Sequence, residues 1–169
     1  YVQAGTYYTN GNARCSIWYV ANTTGGACTV TVTPSASLYL SFGIHEYSGA
    51  AVSSPLDDTN GGTNTGTALT TGTVPVNGTG ELIIGCFTIT SSGILSAGAN
   101  YTARYNVSGS ASLQGIIAVE RLGLSAGDAA LATNGTSRAW AGIGASFKEA
   151  AAGGLPHRIQ NGLYVGSAA

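Results

Sequence analysis

A period of two dominates this chain and limits what it can fold into. Residues 29–33 read Thr-Val-Thr-Val-Thr, and apolar side chains occupy every second position of residues 38–44, with Glu46 next on the same face. Successive side chains of a β-strand point to opposite faces, so this pattern predicts strands with one buried face. Helical periodicity is almost absent, apart from one possible short helix at residues 127–133. We predict strands at residues 2–8, 13–20, 29–33, 38–47, 68–74, 81–90, 101–105, 113–120 and 139–147.

The segments between the predicted strands are rich in Gly, Asn, Ser and Pro, which are typical turn residues. Many short strands separated by such turns predict an antiparallel β-sandwich of the jelly-roll kind. We expect one all-β domain at residues 1–148, followed by an extended C-terminal arm at 149–169. The side chains expected in the core are Val30, Val32, Leu38, Leu40, Phe42, Ile44, Leu82, Ile84, Ile117 and Ile143.

The charge content excludes several classes of partner. Only 8% of the 169 residues are charged and the formal net charge is −1, whereas nucleic acids and anionic membranes select basic surfaces. No apolar run reaches the roughly 18 residues of a spanning helix. Lys148 is the single lysine, and a lysine-poor, Ser/Thr/Gly-rich composition is typical of exported proteins. We therefore expect an extracellular or cell-surface protein without a nucleic-acid partner or a membrane span.

The titratable residues do not form a catalytic pattern. His45 and Glu46 are adjacent, but strand alternation places them on opposite faces. We interpret Glu46 as a buried structural carboxylate that needs an Arg or backbone partner. Residues 57–62 could bind Ca²⁺ through their oxygens, although a solvated loop is the favoured interpretation. We predict no catalytic residue, no metal ligand and no cofactor, so the protein is not expected to be an enzyme.

Two of the three cysteines flank a predicted hairpin loop. Cys15 and Cys28 lie in candidate neighbouring strands, with Cys86 elsewhere in the chain. Antiparallel neighbours on one face can be bridged if they pair in register, and exported proteins retain disulfides. The alternative is a pair of buried free thiols. We predict a Cys15–Cys28 disulfide and a reduced Cys86.

Five Asn-x-Ser/Thr sequences are candidate glycosylation sites. They begin at Asn22, Asn77, Asn100, Asn106 and Asn134. The alternative is that they merely reflect a chain rich in Ser and Thr.

Short motifs resemble a family of secreted bacterial β-sandwich domains. They are Ile17-Trp18-Tyr19, Thr29-Val30-Thr31-Val32, His45-Glu46-Tyr47-Ser48-Gly49, Pro55-Leu56-Asp57 and Trp140-Ala141-Gly142-Ile143. The similarity covers most of residues 1–148 and implies a secreted, jelly-roll-like fold. The family has no assigned catalysis, so the resemblance assigns no catalytic residue. Its members carry further strands before the position of Tyr1 and end near Lys148, which implies that a neighbouring copy completes the fold.

Two functions follow as hypotheses. The first is a structural subunit of an extracellular filament, joined head-to-tail by strand exchange between copies of this chain. The donor would be an N-terminal strand or the C-terminal arm, whose apolar anchors are Leu155, Ile159, Leu163, Tyr164 and Val165. The second is a carbohydrate-binding or adhesive module, in which aromatic side chains stack on glycans. Those aromatics are Tyr7, Tyr8, Trp18, Tyr39 and Tyr47, which could equally be core residues.

Overall fold

The structure is a computed structural model that describes residues 1–23, 27, 29–33, 40–111 and 113–151, together with the backbone of 158 and 159. The described residues contain ten strands and no helix. The strands are β1 (Val2–Asn10), β2 (Ala13–Tyr19), β3 (Tyr47–Ser48), β4 (Leu56–Val74), β5 (Glu81–Ile89), β6 (Leu95–Ala97), β7 (Thr102–Val107), β8 (Gly115–Leu124), β9 (Asp128–Phe147) and β10 (Arg158–Ile159). All of their pairings are antiparallel, as the predicted β-sandwich requires.

The main sheet has the order β4-β9-β5-β8-β7, and β6 pairs separately with β9. Its central strand β5 is buried at all nine positions, because both of its faces are covered. Leu82, Ile84 and Cys86 point to one core cluster, whereas Ile83 and Phe87 point to another. A strand buried on both faces reads as a near-continuous apolar run, and residues 82–87 of β5 do so, flanked by the buried polar residues Glu81 and Thr88.

Different parts of the chain cover the two faces of the sheet. The β1–β2 hairpin packs Ala4, Cys15 and Ile17 onto the first cluster. On the other face, the later part of β4 and the first part of β9 bring Leu69 and Ala130 into the second cluster. The β4–β9 ladder shifts register at three places along its length, and these irregularities bend the long strands.

Several sequence predictions of the strands were wrong in extent. Residues 57–64, predicted as a loop, belong to β4, and residues 127–133, considered as a helix, belong almost entirely to β9. Residues 29–33 are described but form no strand. Of the predicted strand 38–47, the structure describes residues 40–47, and among these only Tyr47 lies in a strand. Strands β6 and β10 were not predicted.

Four of the ten predicted core residues are buried. Leu82, Ile84, Ile117 and Ile143 are buried, as predicted. Val30, Val32 and Leu40 are only partly buried, and Leu38 lies outside the described residues. Phe42 and Ile44 are 36% and 51% exposed, because this segment turns its other face inward. Gly43 is buried there, and a Cβ on it would lie 2.9 Å from Cγ of Tyr105.

We predict that Gly142→Ala destabilises the fold by about 1–3 kcal/mol, the usual cost of overpacking a core. A Cβ on Gly142 would lie 2.4 Å from Cδ1 of Phe87, whose ring fills the second cluster. Gly66→Ala is the matched control, since nothing lies within 4 Å of its Cβ position. Urea unfolding of both variants measures the difference, and equal midpoints would contradict the packing described here.

Candidate functional site

The candidate site lies where the C-terminal end of the chain meets β3. The amide of Ala150 donates to the carbonyl of Gly49 at 2.7 Å, and that of Ala51 donates to the carbonyl of Lys148 at 2.8 Å. Farther along, β10 pairs antiparallel with β3, with Arg158 opposite Ser48 and Ile159 opposite Tyr47. The segment around β3 therefore accepts the C-terminal end at two separate places.

A buried carboxylate fixes β3 against the main sheet. Glu120 of β8 is only 3% exposed. The hydroxyl of Tyr47 donates to its Oε2 at 2.6 Å, and the half-exposed guanidinium of Arg104 forms an ion pair with its Oε1. Burial, together with the hydrogen bond to Glu120, raises the pKa of Tyr47 far above its usual value, so the phenol stays protonated and donates.

A cleft of about 350 Å³ opens beside this cluster. It is lined by Ile44, His45, Glu46, Tyr47, Arg104, Glu120 and Leu122. The Nε2 atom of His45 is buried with no hydrogen-bond partner among the described residues. Burial lowers the pKa of His45, which favours the neutral ring. The rim is mixed, since the exposed apolar side chains of Ile44 and Leu122 lie beside the exposed Glu46 and Arg104.

The prediction that Glu46 is a buried structural carboxylate was wrong. Glu46 is exposed, and Glu120 takes the structural role instead. The signal for Glu120 was available in the sequence, because it ends the buried run of β8 that begins at Gly115. Both oxygens of Glu120 are already engaged by Tyr47 and Arg104, so the cluster holds the fold in place.

A second cleft, of about 400 Å³, is lined by Asp57, Glu81, Lys148 and Glu149, among others. Asp57 accepts from the amide and side chain of Asn77 at 2.8 and 2.9 Å, and Lys148 Nζ lies 3.7 Å from its Oδ1. Burial, and then the negative charge of Asp57, raise the pKa of Glu81.

Asp57 and Asp58 lie in β4, so the predicted solvated loop is absent. Within the described ranges, no three His, Cys, Asp or Glu side chains converge as a metal site would require.

The cysteine pair differs from the prediction. Cys15 is a buried free thiol whose backbone lies opposite Tyr8 of β1, and its Sγ lies 3.7 Å from the carbonyl oxygen of Cys86. The predicted disulfide is therefore absent from the structure, and Cys28 lies outside the described residues. Cys86 is also free and buried, and burial raises its pKa, which keeps it protonated.

The candidate glycosylation sites fall into two groups. Asn22, Asn77, Asn100 and Asn106 are exposed, so they stay candidates. Asn134 is 2% exposed within β9, and its side chain donates to the carbonyl of Thr136. A transferase cannot reach this amide in the folded domain.

The predicted arm residues are mostly beyond what the structure describes. Leu155, Leu163, Tyr164 and Val165 lie outside the described residues. Ile159 is described only in its backbone, which pairs with Tyr47. The aromatic residues proposed for carbohydrate binding do not share one surface. Tyr8 and Tyr47 pack against the first core cluster, whereas Tyr7 and Trp18 are exposed. Tyr39 lies outside the described residues.

No family model matches the chain, and neither the curated proteins nor the solved structures contain a significant match. The resemblance to secreted β-sandwich domains therefore stays a hypothesis. Nor do the described residues form a helix with the length and apolar character needed to span a bilayer.

We predict that Tyr47→Phe lowers the free energy of unfolding by about 1.5–3 kcal/mol, the range for hydrogen bonds to charged groups. The variant removes one of the two groups that stabilise the buried Glu120 carboxylate. Tyr7→Phe, at an exposed tyrosine, is the control and should be nearly neutral. Urea denaturation measures both, and an unchanged midpoint for Tyr47→Phe would show that the hydrogen bond adds no net stability.

A second prediction concerns pH. The raised pKa of Glu81 means that the folded state holds this proton more tightly than the unfolded state. Stability is therefore lost as pH rises from the ordinary carboxyl range through the raised pKa. Glu81→Gln cannot ionise, so its melting temperature should exceed that of the parent protein more at pH 7 than at pH 4. Glu46→Gln is the exposed control for the loss of one charge; a gain for Glu81→Gln that does not depend on pH would refute the assignment.

Proposed function

We propose that this protein is a structural subunit of an extracellular filament or surface assembly, joined head-to-tail by exchange of the C-terminal arm between copies. The observation that supports this most is the pairing of β10 with β3, which shows a backbone edge that accepts a strand from the arm. An extended segment that adds to such an edge gains main-chain hydrogen bonds. The same pairing can form within one chain or between two.

The chain between the domain and β10 is long enough for exchange. Seven residues separate Ala150, which is held by Gly49, from Arg158 of β10, and most of them are small. At about 3.3–3.6 Å per residue they span roughly 25 Å when extended. Neighbouring strands lie about 4.8 Å apart, so this reach equals the width of about five strands. The arm can therefore leave its own β3 and reach that of an adjacent copy.

The surface also favours association between copies. The net charge is −1, so repulsion between copies is weak. Tyr1, Val2, Ile44 and Leu122 are exposed apolar side chains. Because the donated arm and the accepting β3 are different surfaces, the contact is heterologous and extends into a filament unless its rotation closes a ring.

We predict that deletion of residues 152–169 shortens or abolishes filaments and leaves the far-UV circular dichroism of the domain unchanged. The deletion retains the Ala150–Gly49 hydrogen bond and removes β10. Negative-stain microscopy and light scattering measure assembly. Deleting only residues 152–154 is the matched variant, because a shorter hinge disfavours pairing within one chain and should increase assembly.

Two results would overturn the proposal. One is a full-length chain that stays monomeric across the micromolar range. The other is a chain lacking residues 152–169 that assembles as well as the full chain, since β10 would then not be the donor.

A carbohydrate-binding or adhesive role is the second candidate. Trp18 is exposed and lines a shallow groove of about 210 Å³ with Tyr1 and residues 31–33. Tyr7 is also exposed, but the guanidinium of Arg14 lies over one face of its ring at 4.0 Å. Exposed aromatic faces suit stacking on sugar rings. A glycan array probed with the parent protein and with Trp18→Ala tests this role. Binding that is lost in the variant while assembly persists would support it, and an array without hits would exclude it for the glycans tested.

A further inference from the structure

We propose that Cys15 and Cys86 are oxidised to a disulfide that fixes the β1–β2 hairpin on the central strand β5. Both are free, fully buried thiols, and both belong to the first core cluster. The Sγ atom of Cys15 lies 3.7 Å from the carbonyl oxygen of Cys86, and the two thiol groups are hydrogen-bond partners. This inference takes only the extracellular setting from the proposed function, because disulfides form and persist in oxidising compartments.

The two strands that carry these cysteines pack face to face, because β2 pairs with β1 whereas β5 belongs to the main sheet. Alternation along β5 turns Cys86 toward the hairpin together with Leu82 and Ile84, and β2 turns Cys15 and Ile17 toward the sheet. Cα atoms of β2 and β5 approach within 8 Å of each other, although packed sheets usually lie about 10 Å apart. This close packing brings the pair near the Cα separation of about 4.4–6.8 Å that a disulfide spans.

Neither cysteine meets another cysteine within its own sheet in the part of the chain that the structure describes. Cys15 lies opposite Tyr8 of β1, and Cys86 lies between Ala118 of β8 and Ile143 of β9. Each thiol therefore finds its partner across the core. In the alternative interpretation, both stay reduced and pack as small apolar side chains, which is one outcome of the experiment.

The bond forms by exchange with a low-molecular-weight disulfide such as oxidised glutathione. The thiolate of one cysteine attacks the glutathione disulfide, whose S–S bond breaks, and one glutathione leaves as a thiolate. The thiolate of the second cysteine then attacks the protein sulfur of the mixed disulfide and releases the second glutathione. The two cysteine protons end on the two glutathione thiols, so the protein loses two electrons and glutathione gains them.

The oxidation has to precede the docking of the hairpin on the sheet. In the folded domain both cysteines are fully buried, so an oxidant cannot reach their sulfur atoms. Burial also raises the pKa of Cys86, and a protonated thiol is a poor nucleophile. We therefore expect the bond to form while the chain folds, and to form slowly in a domain that has already folded with reduced cysteines.

Refolding of the full chain in a buffer of reduced and oxidised glutathione tests the pairing. Free thiols are blocked with N-ethylmaleimide in denaturant, and the unreduced protein is digested with chymotrypsin, because trypsin leaves all three cysteines on residues 15–104. The link between Cys15 and Cys86 should be at least fivefold more abundant than all links to Cys28 together. Three blocked thiols, an excess of links to Cys28, or a link between two chains would overturn the proposal.

Thermal unfolding tests whether the bond fixes the hairpin. The two cysteines are 71 residues apart, and a disulfide that closes so long a loop should raise the melting temperature by about 10 °C over the same chain refolded with a reductant. Cys28→Ser should keep this difference, whereas Cys15→Ala should lose it. A linked parent chain that melts no higher than its reduced form would contradict the fixing role. A chain that forms the bond but no filaments supports this inference and contradicts only the proposed assembly.

Discussion

The burial of β5 on both faces is the constraint on which the rest of the structure depends. Each of its nine residues is buried, so each face of the central sheet needs a cover. The β1–β2 hairpin covers one face, and the bent parts of β4 and β9 cover the other. Close contact at these covers requires small residues. A Cβ on Gly61 would lie 2.2 Å from the ring of Tyr8, and one on Gly85 would lie 2.5 Å from the Cβ of Ala130.

Glu120 links the buried sheet to the candidate site, because its carboxylate is buried in β8 and bonds to Tyr47 of β3. It continues the buried run of β8, and a carboxylate at that depth is stable only if it is paired and hydrogen-bonded. Arg104 comes from the neighbouring strand β7, whereas Tyr47 comes from β3, which lies outside the main sheet. The need to satisfy one carboxylate therefore fixes the position at which β3 presents its backbone. In our proposal, this polar cluster orients the edge that accepts the arm.

The sequence predicted strands best where burial and apolar character coincide, as in β2, β5 and the later part of β9. It failed in residues 57–64, because Asp, Asn and Gly are typical of loops. These residues form strand through their pairing with β9, a contact distant in sequence that local pattern does not contain. Glu120 could have been found from its position in an apolar run. The pairing of β10 with β3 could not, because two residues carry too little periodicity to predict a strand.

In residues 41–47, the face that was predicted to be buried is the exposed one. Alternation identifies which face is apolar, and the prediction assumed that the apolar face is the buried one. In this chain Gly43, His45 and Tyr47 point inward, toward Tyr105 and Glu120, and Phe42 and Ile44 point outward. Exposed apolar area costs about 25 cal/mol per Å² relative to burial, so a sequence that keeps it outward is poorly suited to a lone domain. In the proposed assembly, a neighbouring copy that covers Ile44 would remove this cost. The apolar pattern of the sequence would then describe the assembled subunit and not the lone domain.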